Sequence, residues 1–134
     1  SEQSRRYVSE EPDWYLPVFR ERAPSVKQGS GAAFASPEQS AFQEDYEDAM
    51  EACIKLYNRF IEAGVAPEQA RFILPQGVMT QWVWTGSLLA FSRFYNLRAD
   101  SHAQKEIQEL AGMVSEIIAP LYPVSWAALT GETK

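Results

Sequence analysis

Phe42, Tyr46, Ala49, Cys53, Leu56, Tyr57 and Phe60 recur at spacings of three and four, with one doubling. That spacing puts them on one broad apolar stripe of a helix. The string Ser36-Pro37-Glu38-Gln39 marks the start. Ser36 can cap, Pro37 suits the first helical position, and Gln39 can complete a capping box. Gly64 supplies the stop. The pattern predicts one helix over 36–63, and a chain organised around it is helix-dominated.

The rest of the sequence adds shorter elements. Residues 1–22 mix charges with Tyr7, Trp14, Tyr15 and Phe19, and Pro12 and Pro17 forbid a long helix there. We expect a short strand near 6–9 and then an extended segment. Residues 28–36 read as a small-residue linker. Pro67 opens a short helix that ends before Pro75. Residues 78–85, rich in β-branched and aromatic side chains, predict a strand that Gly86 breaks. Residues 87–95 read as a helix. Asp100 or Ser101 then caps a longer helix with the stripe Ile107, Leu110, Ala111, Val114, Ile117 and Ile118. Pro120 and Pro123 are expected to end it, with a short helix at 124–129. The fold class expected is α/β (α+β) with helices dominant: long helix, short helix, one or two strands, then two to three helices.

Length and charge bound the function. A chain of 134 residues is about one domain long. With 46% hydrophobic and 13% aromatic residues it can build a core. A net charge of −6 with no basic cluster argues against a nucleic-acid polymer as partner. Separate arginines still suit one small phosphate, because a guanidinium grips phosphate oxygens in a bidentate way. Cys53, the single cysteine, excludes an internal disulfide and a cysteine-based metal cluster. It lies on the stripe of the long helix, where a thiol is usually packed and inert. No metal-ligand spacing or phosphate-binding glycine loop is seen. No apolar run has membrane length, and the expected location is the cytoplasm.

Four places carry candidate chemistry. Ser4, Arg5 and Arg6 put a hydroxyl and two guanidiniums on an extended segment, suited to wrapping an anionic nucleotide or equally to a solvated terminus. Arg71, between Ala70 and Phe72, wants an anionic partner if buried; exposed, it is an ordinary helix-face residue. Arg98 stands where one helix ends and the next begins, the place of a cation that complements a helix dipole. His102, the single histidine, has no Ser-His-Asp or His-Cys context.

Three strings in order carry a resemblance: Ser1-Glu2-Gln3-Ser4-Arg5-Arg6-Tyr7, Ala70-Arg71-Phe72-Ile73-Leu74-Pro75 and Asn96-Leu97-Arg98-Ala99-Asp100-Ser101-His102-Ala103-Gln104-Lys105-Glu106-Ile107. Together they resemble the flavin-dependent thymidylate synthases. The family signature places an Arg-His-Arg triplet before the first string; this sequence opens inside the signature, with Ser1 where the family has Asn. The resemblance therefore leads us to expect residues 1–134 to be the substrate-binding C-terminal portion of a longer or split enzyme, with 1–35 extended and 36–134 mainly helical. It covers residues 1–7, 70–75 and 82–107, the last block most specifically.

The resemblance also implies roles. The matching segment lines a deoxyuridine monophosphate (dUMP) site, to which it assigns Glu2, Gln3, Ser4, Arg5 and Arg6, with Ser4 near the reacting uracil carbon and Glu2 by flavin and nucleotide. Arg71 matches an arginine that binds the nucleotide phosphate. Arg98 matches one that contacts the pyrimidine and favours loss of its N3 proton, the catalytic role in this reading. His102 matches a flavin-proximal histidine, and Ser87 and Arg93 lie where the family touches its flavin adenine dinucleotide (FAD). Leu89 stands at a family arginine and cannot reproduce its fork. The implied reaction is reductive methylation of dUMP to thymidylate, with methylenetetrahydrofolate giving the carbon and NADPH reducing the FAD. The implied assembly is a homotetramer. A non-catalytic helical interaction module of split or degenerate descent is the rival reading, supported by the missing triplet, Ser1 and Leu89; another kind of nucleotide-binding enzyme is the third.

Overall fold

The computed structural model describes residues 2–24 and 29–131. Ser1 and the first residue of the expected linker, Gln28, lie outside the described residues. The chain divides into two compact units: Ser1–Phe19 with Ala33–Trp84, and Arg20–Ala32 with Thr85–Lys134. Helices dominate both.

In the first unit α1 spans Ser36–Glu62, and Gly64 follows it with φ of +85°, the expected stop. Its start differs from expectation. The helix begins at Ser36 behind Ala35, with no side-chain cap. Gln39 is engaged elsewhere: its Oε1 accepts from Phe19 N and its Nε2 donates to Phe19 O, both at 2.9 Å. One carboxamide satisfies two backbone groups of a non-helical residue, a larger gain than one capping bond.

That clamp is one of a series. Tyr57 Oη donates to Val8 O at 3.1 Å, Asn58 Nδ2 to Glu11 Oε2, and Gln43 Nε2 to Pro17 O at 3.0 Å. From Glu11 through Pro17 to Phe19 the partners on α1 step back from Asn58 through Gln43 to Gln39, so the first segment runs antiparallel to α1. The helix between residues 39 and 57 is about 27 Å long, which eleven residues reach only when extended, at about 3.3 Å each. Pro12 and Pro17 suit that conformation.

The buried line of α1 is Met50, Ile54 and Tyr57. Tyr57 and Cys53, Leu56, Phe60 and Tyr46 follow the expected stripe, buried or half-buried, whereas Ala49 is exposed and Phe42 is 42% exposed. The apolar arc is wider than the surface covering it, and the contact centres one residue beyond Ala49 and Cys53. Phe42 still meets Phe34 and Phe19 edge-on, and Phe19 meets Tyr46.

Next come α2, Pro67–Ala70, and a 3-10 turn, Arg71–Ile73, as the two prolines predict. The two expected strands are not formed as such. Residues 5–7 make a turn closed by Tyr7 N donating to Ser4 O at 3.1 Å. Residues 78–85 are extended but pair only through isolated antiparallel bridges, Val78 with Trp14 and Trp82 with Glu2. Between the bridges, residues 3–13 face residues 79–81, and so unequal a pair cannot form a continuous ladder.

In the second unit α3 spans Leu88–Arg98, α4 Lys105–Leu121 and α5 Pro123–Thr130. Ser87 caps α3, its Oγ accepting from Ala90 N at 3.2 Å. Neither Asp100 nor Ser101 caps α4; Gln104 holds that position without a side-chain cap. Pro120 lies inside α4, not at its end. It sits in the last turn, where Tyr122 N still reaches Ile118 O at 3.0 Å; the break comes at Tyr122, with φ −136° and ψ 57°. Pro123 then opens α5.

The core of this unit is Trp126 on α5, 1% exposed. Its Nε1 donates to Ser115 Oγ of α4 at 2.9 Å, and its ring lies 5.6 Å from that of Tyr95 on α3. Ala111 and Ser92, both buried, let the helices approach. The expected α4 stripe is split: Ala111 is buried, Ile107, Val114 and Ile118 half-buried, and Leu110 and Ile117 exposed beside Met113 and Leu121.

Gly77 shows how tightly the first unit is closed. A Cβ there would collide with Tyr46 Oη and lie 3.7 Å from Met50 Cε. Gly77→Ala should therefore destabilise the protein by about 1–3 kcal/mol, the range for overpacking. Tyr46→Phe removes the colliding oxygen, so the double variant should melt above Gly77→Ala alone. A thermal double-mutant cycle reads this coupling.

Candidate functional site

The excursion at residues 3–13 displays the first candidate group. Its ends are tied down: Gln3 N donates to Gln81 O and Met79 N to Asp13 O, both at 2.8 Å. Glu2 Oε1 accepts from Thr80 Oγ1 at 3.1 Å. Inside the excursion the two arginines diverge. Arg5 Nη1 donates across the loop to Glu10 O at 2.6 Å. Arg6 folds back, Nε donating to Ser4 Oγ at 3.2 Å with its guanidinium 5.3 Å from the Tyr7 ring centroid. Such local bonds hold a turn in place of a strand.

A concavity of about 110 Å³ lies under the excursion. Gln3, Arg5, Thr80 and Gln81 line it together with Glu10, Glu11 and Asp13. One guanidinium against three carboxyl groups makes a field that disfavours anions. The exposed cation of this segment is Arg6.

Arg71, half-buried, pairs within its own turn: Nε donates to Glu68 O at 3.1 Å, and Nη2 lies 4.0 Å from Glu68 Oε1. A contact of this length on a surface holds the side chain only loosely.

The second unit brings Arg98 and His102 together. With Asn96, Leu97, Asp100 and Ala103 they line a concavity of about 320 Å³ between the end of α3 and the start of α4. Asp100 organises this corner. Its Oδ1 accepts from His102 N and faces His102 Nδ1, both at 2.8 Å. Asp100 O accepts from Ala103 N at 3.0 Å, and Gln108 Nε2 donates to Ala103 O at 2.7 Å. Gly29, at φ +83°, backs the turn: a Cβ there would stand 2.7 Å from His102 O. The hydrogen bonds from the His102 backbone and ring hold the Asp100 carboxyl below the usual carboxylate range. Ser87 is committed to its cap, while Arg93 lies exposed on α3. Among the described residues no group of three or more His, Cys, Asp or Glu side chains is arranged to hold a metal ion. Among the described residues no helix is long and apolar enough to cross a membrane.

The family model described as thymidylate synthase complementing protein matches residues 1–124, which include both groups. The chain belongs to this family. Relatives named flavin-dependent thymidylate synthase share 36% identity over 130 residues in Kosmotoga olearia, 34% over 131 in Dictyostelium discoideum and 38% over 120 in Aquifex aeolicus. These alignments cover 96%, 96% and 88% of the chain but 56%, 43% and 38% of the relatives. The chain thus spans about half the length of the relatives it matches.

Membership gives weight to a corner that residue-by-residue reading undervalued. Asp100 reads from sequence as a helix cap, yet it is the hub of the Arg98–His102 concavity. The pattern Asp-x-His carried the signal, since an aspartate readily accepts from the backbone N–H two residues on. Gly29 carried no such signal, because its partner His102 is remote in sequence.

The lowered Asp100 carboxyl fixes a sign. A carboxyl depressed in the folded state contributes stability above its unfolded value, about pH 3.9, and loses it as pH falls through the folded value. The turn should stay closed from neutral pH down to about pH 4 and open as the pH falls further. Amide exchange of His102 N–H across a pH series, with Asp100→Ala as the open reference, checks it.

Proposed function

We propose that this chain is the substrate-binding C-terminal portion of a flavin-dependent thymidylate synthase that converts dUMP to thymidylate. The observation that carries the reading is the Arg98–His102 corner within a family match spanning both candidate groups. The co-substrates in this reading are methylenetetrahydrofolate and NADPH.

FAD, when bound, supplies the hydride chemistry. The corner fits part of that group. About 320 Å³ is near the lower end of small-molecule sites and takes one ring system, not a whole dinucleotide. The groups present, a guanidinium that donates and an imidazole that can accept at one nitrogen, suit the carbonyl- and N–H-bearing edge of such a ring. His102 and Arg93 are the candidate flavin contacts, and Ser87 acts through the cap that starts α3.

Arg98 is the catalytic candidate. A guanidinium stays charged at physiological pH and stabilises negative charge developing on a pyrimidine carbonyl. Arg6 and Arg71 are the candidate phosphate contacts. Arg71 exchanges its weak Glu68 contact for a phosphate, a stronger bidentate partner. Glu2, Gln3, Ser4 and Arg5 shape the excursion that presents Arg6.

Removing one charge-assisted contact at a developing anion costs roughly 2.7–4 kcal/mol. In the complete enzyme Arg98→Ala should thus lower turnover about a hundred- to a thousandfold with little change in melting temperature. Arg98→Lys should recover little, because a point charge lacks the planar fork. Arg71→Ala should mainly raise KM for dUMP, since phosphate contacts persist through the reaction. Steady-state NADPH oxidation dependent on dUMP and FAD, with thermal melts as folding control, separates these roles. Near-normal turnover in Arg98→Ala would make Arg98 a helix-end residue only.

The reading includes homo-oligomerisation. On α4, Met113, Ile117 and Leu121 are 58%, 68% and 67% exposed, with Leu110 beside them. A row of large apolar side chains open to water is the usual mark of an interface. Light scattering should give a mass above that of one chain, and Ile117→Glu should lower it.

A further inference from the structure

In the second unit the single histidine faces a carboxylate oxygen through one ring nitrogen. Asp100 is ionised at neutral pH, since its carboxyl titrates below the ordinary range, and an ionised carboxylate only accepts hydrogen bonds. His102 Nδ1 lies 2.8 Å from Asp100 Oδ1, so this nitrogen must carry the proton. A neutral imidazole has one N–H, and Nε2 is left with a lone pair.

The turn that carries the ring is held at several points, while the ring itself is exposed. The same Oδ1 accepts from His102 N, fixing the backbone from which the ring projects. Asp100 O holds Ala103 N, and Gln108 holds Ala103 O. The Gly29 backbone lies against the His102 carbonyl, where any side chain would displace the turn. Arg98 and Asp100 are the other charged residues lining the concavity.

We propose that Asp100 is a positioning residue that locks His102 in the Nδ1–H tautomer, so that Nε2 meets a ligand as hydrogen-bond acceptor beside the donor Arg98. The corner then offers a donor fork and an acceptor side by side. It complements a ligand edge in which a carbonyl adjoins an N–H or O–H, and it disfavours an edge made of carbonyls alone. This inference rests on the reading of the corner as a ligand site, but the tautomer itself can be tested without a ligand.

His102 is the single histidine of the sequence, so its ring nitrogens are assigned without ambiguity. Nitrogen-15 NMR of the 134-residue chain at alkaline pH should show Nδ1–H as the major tautomer. Asp100→Ala removes the acceptor facing Nδ1, so Nε2–H, the form a free imidazole side chain favours, should become the major one, with the helical circular-dichroism signal unchanged. A wild-type ring mainly in the Nε2–H form, or a tautomer ratio unaltered by Asp100→Ala, overturns the lock. If Asp100→Ala fails to fold, the wild-type spectrum still decides. Adding dUMP and FAD separately then tests the ligand-facing half. At least one should shift the Nε2 resonance, and shift it less in Asp100→Ala. A locked tautomer with Nε2 unmoved by either ligand would leave the positioning intact and refute the acceptor role, an outcome distinct from any failure of Arg98 in kinetics.

Discussion

The first unit depends on how the backbone of residues 2–19 is satisfied. This segment is extended, broken by two prolines and paired at only two bridge points, so neither helix nor sheet accounts for its polar groups. Side chains of α1 do much of the work. Gln39 meets both backbone groups of Phe19, Gln43 takes Pro17 O, and Tyr57 takes Val8 O. Long polar side chains on one helix face thus act as a third strand would. Together with the Gln3–Gln81 and Asp13–Met79 bonds at its two ends, they hold the excursion that presents Arg6.

The second unit uses a different device. Between α3 and α4 a few residues must reverse the chain and present an arginine and a histidine to one concavity. Asp100 supplies the reversal and the ring orientation with one carboxylate oxygen. Such sharing couples fold to site: whatever opens the turn also frees the imidazole. The buried Trp126, bonded to Ser115 and with its ring tilted against that of Tyr95, ties the three helices together.

The long periodic elements were legible in the sequence, and the ends and pairings were less so. Gly64, Pro67 and Pro75 announce stops and starts through backbone constraints local to each residue, and the structure follows them. Gln39, Asp100 and Pro120 were misplaced because each has more than one local option. Gln39 can cap or reach a remote backbone, Asp100 can cap or brace a turn, and Pro120 can end a helix or occupy its last turn. Residues 78–85 have the composition of a strand, but a strand needs a partner of matching length, and the partner bulges.

By itself the sequence determined that the chain is helix-dominated, where α1 stops, and which arginines and histidine are worth watching. Those properties follow from hydrophobic period, proline and glycine stereochemistry, and side-chain charge, all of which act within a few residues. The tertiary structure decided which way each side chain is committed. Arg5 turns inward to Glu10 while Arg6 stays exposed, Met50 and Ile54 become core while Ala49 does not, and Asp100 turns one oxygen to both the backbone and the ring of His102. Each of these depends on a choice among competing partners, and only the folded chain fixes which of them lie within reach.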